Sequence, residues 1–278
     1  MPGALRILGT TVLAAAVAAP ASAADIIQPG EEKLTVMLGA FLPAFRTKVE
    51  VDGEQNTGDR IDLNRDLGAD RNDSGGWVGA EWRFAPRHRL GFTYSRFTLR
   101  GDRTIDRDLH IGDKVFPTGT EVESQLRLEL IPITYSYSLI KQDNDELAVT
   151  AGIHWDRLSF RVDASASIGG RSAANEASSN ANLPLPLFGL RYDHRFSERW
   201  SAGATLAAFA LKFGEDSFDS QGSLISARLS AEYRFSRHFA AGAALDSFKV
   251  NAKASKGDWH GAMDYGYVGP QLYLLSRF

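Results

Sequence analysis

Three short stretches hold residues that could do chemistry. Asp106-Arg107-Asp108-Leu109-His110 sets two carboxylates and an imidazole within five residues, and Asp258-Trp259-His260 sets an Asp and a His two apart. Such groups can activate water by general acid–base catalysis. Asp-x-His is also a pattern that chance produces often. Asp62-Leu63-Asn64-Arg65-Asp66-Leu67-Gly68 opens like a calcium loop. Its sixth position, where the turn demands Gly, is Leu67, and its twelfth, where Glu should chelate, is Asp73. It reads as an acidic surface loop. No Ser sits in a nucleophile elbow, no Gly-rich phosphate loop occurs, and the absence of Cys excludes disulfides and thiolate metal sites. No catalytic, cofactor-binding or metal-ligating residue is assigned, and no cofactor is expected.

The elements that carry these stretches follow from periodicity. In residues 225–235, Ile225, Ala227, Leu229, Ala231, Tyr233 and Phe235 alternate with Ser226, Arg228, Ser230, Glu232 and Arg234. Strict period 2 is the mark of a strand with one apolar and one polar face. Leu147, Val149, Ala151, Ile153 and Trp155 alternate in the same way, and then the parity shifts to Leu158, Phe160 and Val162. Leu126, Leu128 and Leu130 give way to Ile133, Tyr135, Tyr137 and Leu139, with Pro132 at the slip. Each shift predicts a β-bulge, because a one-residue slip turns every later side chain to the other face.

Ten strands are predicted, near 33–52, 76–85, 89–101, 119–140, 146–166, 183–196, 200–213, 221–235, 239–254 and 259–278. The count falls to eight if 76–85 or another short candidate does not span. Short connections at 86–88, 141–145, 197–199 and 236–238 alternate with long or polar ones at 53–75, 102–118, 167–182, 214–220 and 255–258. The fold class is all-β: a transmembrane, antiparallel, up-and-down β-barrel with short turns at one end, longer loops at the other, and both termini on the periplasmic, short-turn side.

Residues 1–23 read as a signal peptide, with Arg6, the apolar run Ile7 to Ala19 and the cleavage pattern Ala21-Ser22-Ala23. The expected domain is 24–278, and loss of Arg6 takes the net charge from -3 to -4. No basic face suggests nucleic acid. Without Cys there is no lipid-attachment site after the signal.

EWRF at 81–84, DHRF at 193–196 and EYRF at 232–235 each precede a polar turn, and the chain ends in SRF. Phe84, Phe196, Phe235 and Phe278 are predicted to face lipid as an aromatic girdle, with His194 nearby and His88 and His238 at turns. Glu81/Arg83, Asp193/Arg195 and Glu232/Arg234 then point inward as i, i+2 pairs, since a charge facing lipid at midplane would cost roughly 2–4 kcal/mol. The signal peptide, hairpin rhythm, Arg-Phe repeats and the ending Leu272-Tyr273-Leu274-Leu275-Ser276-Arg277-Phe278 resemble the small Gram-negative outer-membrane β-barrel proteins over essentially all of 24–278. The resemblance implies outer-membrane localisation, outer-membrane lipids as surroundings, and an assembly machinery that reads terminal Phe278. Ser276 departs from that pattern, which usually has an aromatic there. The 106–110 and 258–260 stretches also resemble the acid and Asp/His pairs of outer-membrane aspartyl-type proteases.

The inward candidates are Glu81, Arg83, Arg127, Glu129, His154, Arg161, Asp163, Arg191, Asp193, Arg195, Arg228, Glu232 and Arg234. Mixed charges in so narrow a barrel should pair and close most of the bore. A lumen network is therefore assigned to Glu81, Arg83, Arg127, Glu129, Asp193, Arg195, Arg228, Glu232 and Arg234. Three functions follow from such a barrel. The first is a structural or surface-interaction protein whose loops 53–75 and 102–118 meet an extracellular ligand. The second is a narrow passive diffusion channel for ions or small solutes, and the third a barrel-embedded hydrolase. The expected class is not an enzyme.

Overall fold

In the computed structural model the described residues are 27, 30–51, 58–71, 74–111, 114–168, 171–215, 218–256 and 259–278. Residues 1–23, Asp73 and Asp258 lie outside them, as does the side chain of His260. The elements are β1 (Leu34–Phe41), β2 (Ala44–Val51), β3 (Arg60–Asp62), α1 (Leu63–Asp66), β4 (Gly75–Ala85), β5 (His88–Thr104), β6 (Leu109–Ile111), β7 (Lys114–Phe116), β8 (Glu121–Lys141), β9 (Asp145–Ile168), β10 (Arg171–Arg195), β11 (Trp200–Glu215), β12 (Phe218–Arg234), β13 (Phe239–Lys256) and β14 (Trp259–Arg277).

Ten staves close a ring in the order β1, β4, β5, β8, β9, β10, β11, β12, β13, β14, and β14 returns to pair with β1. All neighbours are antiparallel. The predicted 33–52 strand is one stave in two pieces. β2 continues β1 beyond Leu42-Pro43 and pairs with the far part of β14. Pro43 has no N–H for a ladder, so the strand breaks there. The facing Gly269 has no room for a side chain: a Cβ would lie 2.4 Å from the Leu42 carbonyl oxygen.

The start of β1 meets the chain end at the short-turn end, where the amides of Lys33 and Leu34 donate to the Phe278 carbonyl at 2.7 and 3.0 Å and Phe278 N–H donates to the Leu34 carbonyl at 2.8 Å. At the other end three expected loops shrink. β9 runs to Ile168 and β10 begins at Arg171, so 171–182 is strand; β11 runs to Glu215 and β12 begins at Phe218, and β13 runs to Lys256 and β14 begins at Trp259. Their small and polar residues lack apolar alternation, yet the described strand ends find a partner edge, and a paired backbone needs no apolar side chain to hold its ladder.

The expected bulges at Pro132 and Asp156 do not occur. β8 and β9 keep one register from Glu121↔Ser165 to Ser138↔Ala148, and the irregularity falls at Ser138/Ile140. Pro132 only interrupts the β5 ladder, which holds the same offset on either side, Phe92↔Ile133 and Ser95↔Leu130. Parity is conserved and it is the apolar face that changes sides. On β9 the outward residues run Leu147, Val149, Ala151, Ile153, Trp155, then Arg157, Ser159, Arg161, Asp163, while the inward ones run Glu146, Thr150, His154, Asp156, then Leu158, Phe160, Val162. The first outward set spans nine residues, about what a crossing strand needs. β9 has 24 residues and β10 25, so more than half of each stands beyond any bilayer. There the outer face is polar and the inside is packed like a water-soluble core.

That inner core receives a side chain from every stave, including Phe41, Trp77, Phe97, Leu130, Leu158, Leu187, Ala207, Leu224, Phe248 and Tyr265. Its centre is a run of aromatic contacts. Phe97 meets Phe45 and Phe41 at 5.2 and 5.7 Å, Tyr267 meets Phe41 and Phe248 at 5.2 and 5.3 Å, and Phe248 stacks on His154 at 4.4 Å. Edge-on and offset contacts of this kind add to the area the rings bury.

Segments 58–71, 105–111 and 114–116 cover the long-loop end. They send Ile61, Leu63, Leu67, Ile105, Leu109 and Phe116 into the same core. Asp62 caps α1 by accepting from Arg65 N–H at 3.1 Å, and the Gly68 φ of 68° turns the chain back toward β5. The first two are pinned together by Asp66–Arg107 at 3.4 Å and by Asp59, which accepts from His110 N–H at 2.8 Å. Burial pushes the Asp66 carboxyl up, but hydrogen bonds from Arg65 and the Asp62 amide, with the charges of Arg65 and Arg107, reverse this and leave it below its ordinary value. A carboxyl depressed in the folded state stabilises above its unfolded pKa of about 4 and loses that contribution as pH falls through the folded value. Acidification below about pH 4 is therefore expected to loosen this cap before the staves. Amide exchange should quicken in 58–71, 105–111 and 114–116 and not in β8 to β10. Uniform exchange across that range would contradict the pinning.

Candidate functional site

The inside of the short-turn half is polar, and its charged groups fall into two clusters. In the first, the Arg83 guanidinium forks onto Glu146, at 3.0 and 2.9 Å, and lies 3.5 Å from Glu32. Arg89 reaches Glu146 at 2.8 Å, Glu81 at 3.4 Å and Asp193 at 3.7 Å. Arg191 binds Asp193 at 2.8 Å and also Glu81, and Ser138 donates to Glu146. In the second, Glu232 pairs with Arg277 and accepts from Tyr273 at 3.1 Å, while Arg228 reaches Asp246 at 2.6 Å and Gln271 at 2.8 Å. Bidentate Arg–carboxylate geometry is the strong form of this contact. A cavity of about 320 Å³ lies between the clusters, reaches the turn at 142–145, and ends against Phe41, Leu130 and Leu187.

Glu81, Arg83, Asp193, Arg195, Arg228, Glu232 and Arg234 lie on inward strand positions. Arg127 and Glu129 do not. They share the outer face of β8 with Gln125, opposite buried Leu126, Leu128 and Leu130. Arg161 and Asp163 are likewise outward on β9. The reason is the inversion: above the belt, polar residues belong outside. The expected i, i+2 partners also change. Arg83 takes Glu146 instead of Glu81, Glu232 takes Arg277 instead of Arg234, Arg195 bonds the Asn144 side chain at 3.0 Å, and Arg234 the Glu198 carbonyl at 2.7 Å. Strands lie about 4.8 Å apart, while i and i+2 are nearly 7 Å apart along one strand, so a cross-strand partner is closer. Arg89, Glu146, Glu32, Asp246 and Arg277 escaped sequence reasoning. Arg277 had a signal, its inward parity with Tyr273 and Leu275; Glu32 precedes the first strand and had none.

Two large aromatics fit where the packed core borders the polar cavity because glycines face them. Trp77 and Tyr273 lie 5.6 Å apart, with the Arg228 guanidinium over both. A Cβ on Gly39 would come within 2.4 Å of Trp77, and one on Gly242 within 2.3 Å of Tyr273.

The hydrolytic candidates are tied into loop structure. Asp108 accepts from Thr118 N–H at 2.7 Å and its hydroxyl at 3.0 Å, Asp106 pairs with Arg103 at 3.5 Å, and the His110 ring meets Asp59 at 3.1 Å. The Asp62–Gly68 carboxylates serve the α1 cap and Arg side chains, and no group of three or more His, Cys, Asp or Glu that could hold a metal occurs among the described residues. An unassigned Asp/His pair, His154 with Asp156, lies inside the barrel. Asp156 is 0% exposed and Phe248 covers the His ring, which makes the pair part of the packing.

On the outside, Phe84, Phe196, Phe235 and Phe278 are exposed at the short-turn end. Rings surround them: Trp82 and His88 at 5.5 Å from Phe84, His194 at 4.6 Å from Phe196, and His238 at 5.8 Å from Phe278. Above them Leu38, Val78, Phe92, Leu190, Leu206, Leu229 and Leu272, all exposed, continue the belt around the ring.

Among solved structures, the chain is similar to the outer membrane protease OmpT from Escherichia coli, with 13% identity, 92% of this chain and 100% of that one covered, and a TM-score of 0.59. This chain has the fold of a Gram-negative outer-membrane β-barrel. The barrel also matches the translocator domain of the autotransporter NalP from Neisseria meningitidis at 15% identity, over 88% and 89% of the two chains, with a TM-score of 0.49. By sequence it matches no family model and no curated protein. No described helix is long and apolar enough to cross a membrane.

Proposed function

We propose that this protein is an integral outer-membrane β-barrel with a closed bore and a structural or surface-interaction role. Its long-loop end faces outward, its termini are periplasmic, and residues 1–23 are a cleaved export signal. The observation that carries this reading is the layer of aromatic and aliphatic side chains from all ten staves above the polar cavity. The expected closure by ion pairs takes second place to it. The charged clusters leave about 320 Å³ open between them, whereas a dry packed layer has no path for a hydrated ion. The protease named among similar structures shares the fold at 13% identity, and fold alone does not carry activity. Asp108 and His110 are committed to loop contacts. Refolded protein in planar bilayers should be silent. Discrete conductance steps would replace this reading with the narrow diffusion channel, and loss of a measured hydrolytic activity on substituting Asp108 would replace it with the hydrolase.

The outward Phe84, Phe196, Phe235 and Phe278 act as the short-turn girdle, and Phe278 also as the signal for the assembly machinery. The chain end closes the seam with three backbone hydrogen bonds to Lys33 and Leu34, so deleting Phe278 would weaken both refolding and assembly. Phe278→Ala keeps those bonds and removes only an exposed ring. It should refold in detergent like wild type and insert several-fold less in cells. Equal losses in both assays would assign the ring to stability.

A further inference from the structure

The cavity between the two charged clusters carries more hydroxyls than the fold uses. Thr93 and Ser95 of β5 and Thr134 of β8 line one part of its wall, and across the ring Ser201 and Thr205 of β11 and Ser226 of β12 line another. None of these six side chains makes a hydrogen bond among the described residues. None of the six hydroxyls is sealed from solvent either, so each opens on the cavity. The carboxylates inside the turn at 142–145 are already matched: Glu32 and Glu146 with Arg83, Glu81 and Asp193 with Arg191, Glu232 with Arg277, and Asp246 with Arg228. The inner end is apolar, formed by Phe41, Leu130, Leu187 and Tyr267, with the Phe41 and Tyr267 rings 5.2 Å apart.

We propose that this cavity is a blind binding site for a neutral sugar of one or two rings, entered from the short-turn end. It rests on the closed-bore reading in one respect, that the aromatic layer gives the site its floor. At about 320 Å³ the space lies at the small end of ligand pockets, which run from about 300 to 1,000 Å³. A sugar hydroxyl donates and accepts at once. It can therefore bridge a Thr or Ser hydroxyl to a guanidinium N–H or a carboxylate lone pair without parting an ion pair. A charged ligand must compete with those pairs for its partner, and separating one leaves the other member uncompensated. An apolar ligand would cover six hydroxyls and give them nothing to bond. The C–H face of a pyranose ring is apolar and matches the inner end at Phe41 and Tyr267. Because the floor is closed, a free sugar or the end of a chain fits and the middle of a polymer does not.

The test uses the full-length barrel refolded in detergent micelles, with threonine methyl groups labelled for NMR. The probes are glucose, maltose, glucose 6-phosphate and glucosamine. Glucose and maltose should shift the methyls of Thr35 and Thr93, which line the cavity, and the shifts should saturate at millimolar sugar. The methyl of Thr118, bonded to Asp108 at the long-loop end, should stay in place. Thr134→Val/Thr205→Val removes two of the hydroxyls and keeps the shape. It should weaken binding about thirtyfold, at roughly 1 kcal/mol per hydrogen bond. Thr47→Val deletes an unpartnered hydroxyl in the packed half, away from the cavity, and should leave binding unchanged. Absence of any saturable shift with glucose or maltose overturns the proposal, since the cavity then holds solvent only. Binding of glucose 6-phosphate or glucosamine as tight as that of glucose overturns it too, because the site would then read charge. Undiminished binding by the folded double variant does the same, by placing the sugar elsewhere. The two readings separate in planar bilayers: a conducting barrel that binds glucose loses the closed bore and keeps the sugar site, and a silent barrel that binds none loses only the sugar site.

Discussion

Replacing Arg83 by Met is expected to destabilise the refolded barrel by about 3–5 kcal/mol, the cost of removing one partner from a buried ion pair. The Arg83 side chain is 5% exposed, and its partners Glu32 and Glu146 are 9% and 10% exposed. Without Arg83, Glu32 has no cation within salt-bridge distance among the described residues, and Glu146 keeps Arg89 and the Ser138 hydroxyl. The shorter, unbranched side chain of Met fills part of the space and supplies no donor. Arg83→Met/Glu146→Leu should recover part of the loss, because Arg89 still has Glu81 and Asp193. Urea titration of folding into lipid micelles reads both variants. A cost under about 1 kcal/mol would mean that the groups are solvated as a surface pair is, and the vestibule would then be wet throughout.

Opening the aromatic layer should have the second large effect. Phe97→Ala removes the ring that joins Phe41 to Phe45, and Phe248→Ala removes the one that joins Tyr267 to His154. Each costs about 3–5 kcal/mol as a large-to-small core change. Together they leave a void that runs from the polar cavity into the packed half. The double variant should therefore conduct in discrete steps where wild type is silent. Leu229→Ala, on the lipid face, should stay silent. Heat-modifiable migration verifies that each variant is folded before its conductance is read. A folded double variant that does not conduct would place the closure higher, at the cap formed by Leu63, Leu67, Leu109 and Phe116.

The period-2 alternation of 225–235 determined more than a strand. It put Arg228, Glu232 and Arg234 on one face and Leu229 and Tyr233 on the other, and β12 has them so, with Phe235 exposed just past its end. Parity is a local property of extended backbone, independent of what lies across the sheet. The same holds for Glu81 and Arg83 against Trp82 and Phe84. Antiparallel hairpin order, the ten staves and the short turns were legible for that reason. Parity does not state which face is inside. At Leu130 and Ile133 the apolar residues change faces, and a sequence cannot distinguish a bulge from a strand that leaves lipid for water. Only the register, continuous through Pro132, decided it. That placed Arg127 and Glu129 outside and Leu126 and Leu128 within. Ion-pair partners were equally beyond the sequence, since Arg83 and Glu146 are 63 residues apart and meet only because closure of the ring brings β4 and β9 to one lumen. A charge selects the nearest opposite charge in space. In a barrel that neighbour is set by stagger between strands, a tertiary quantity.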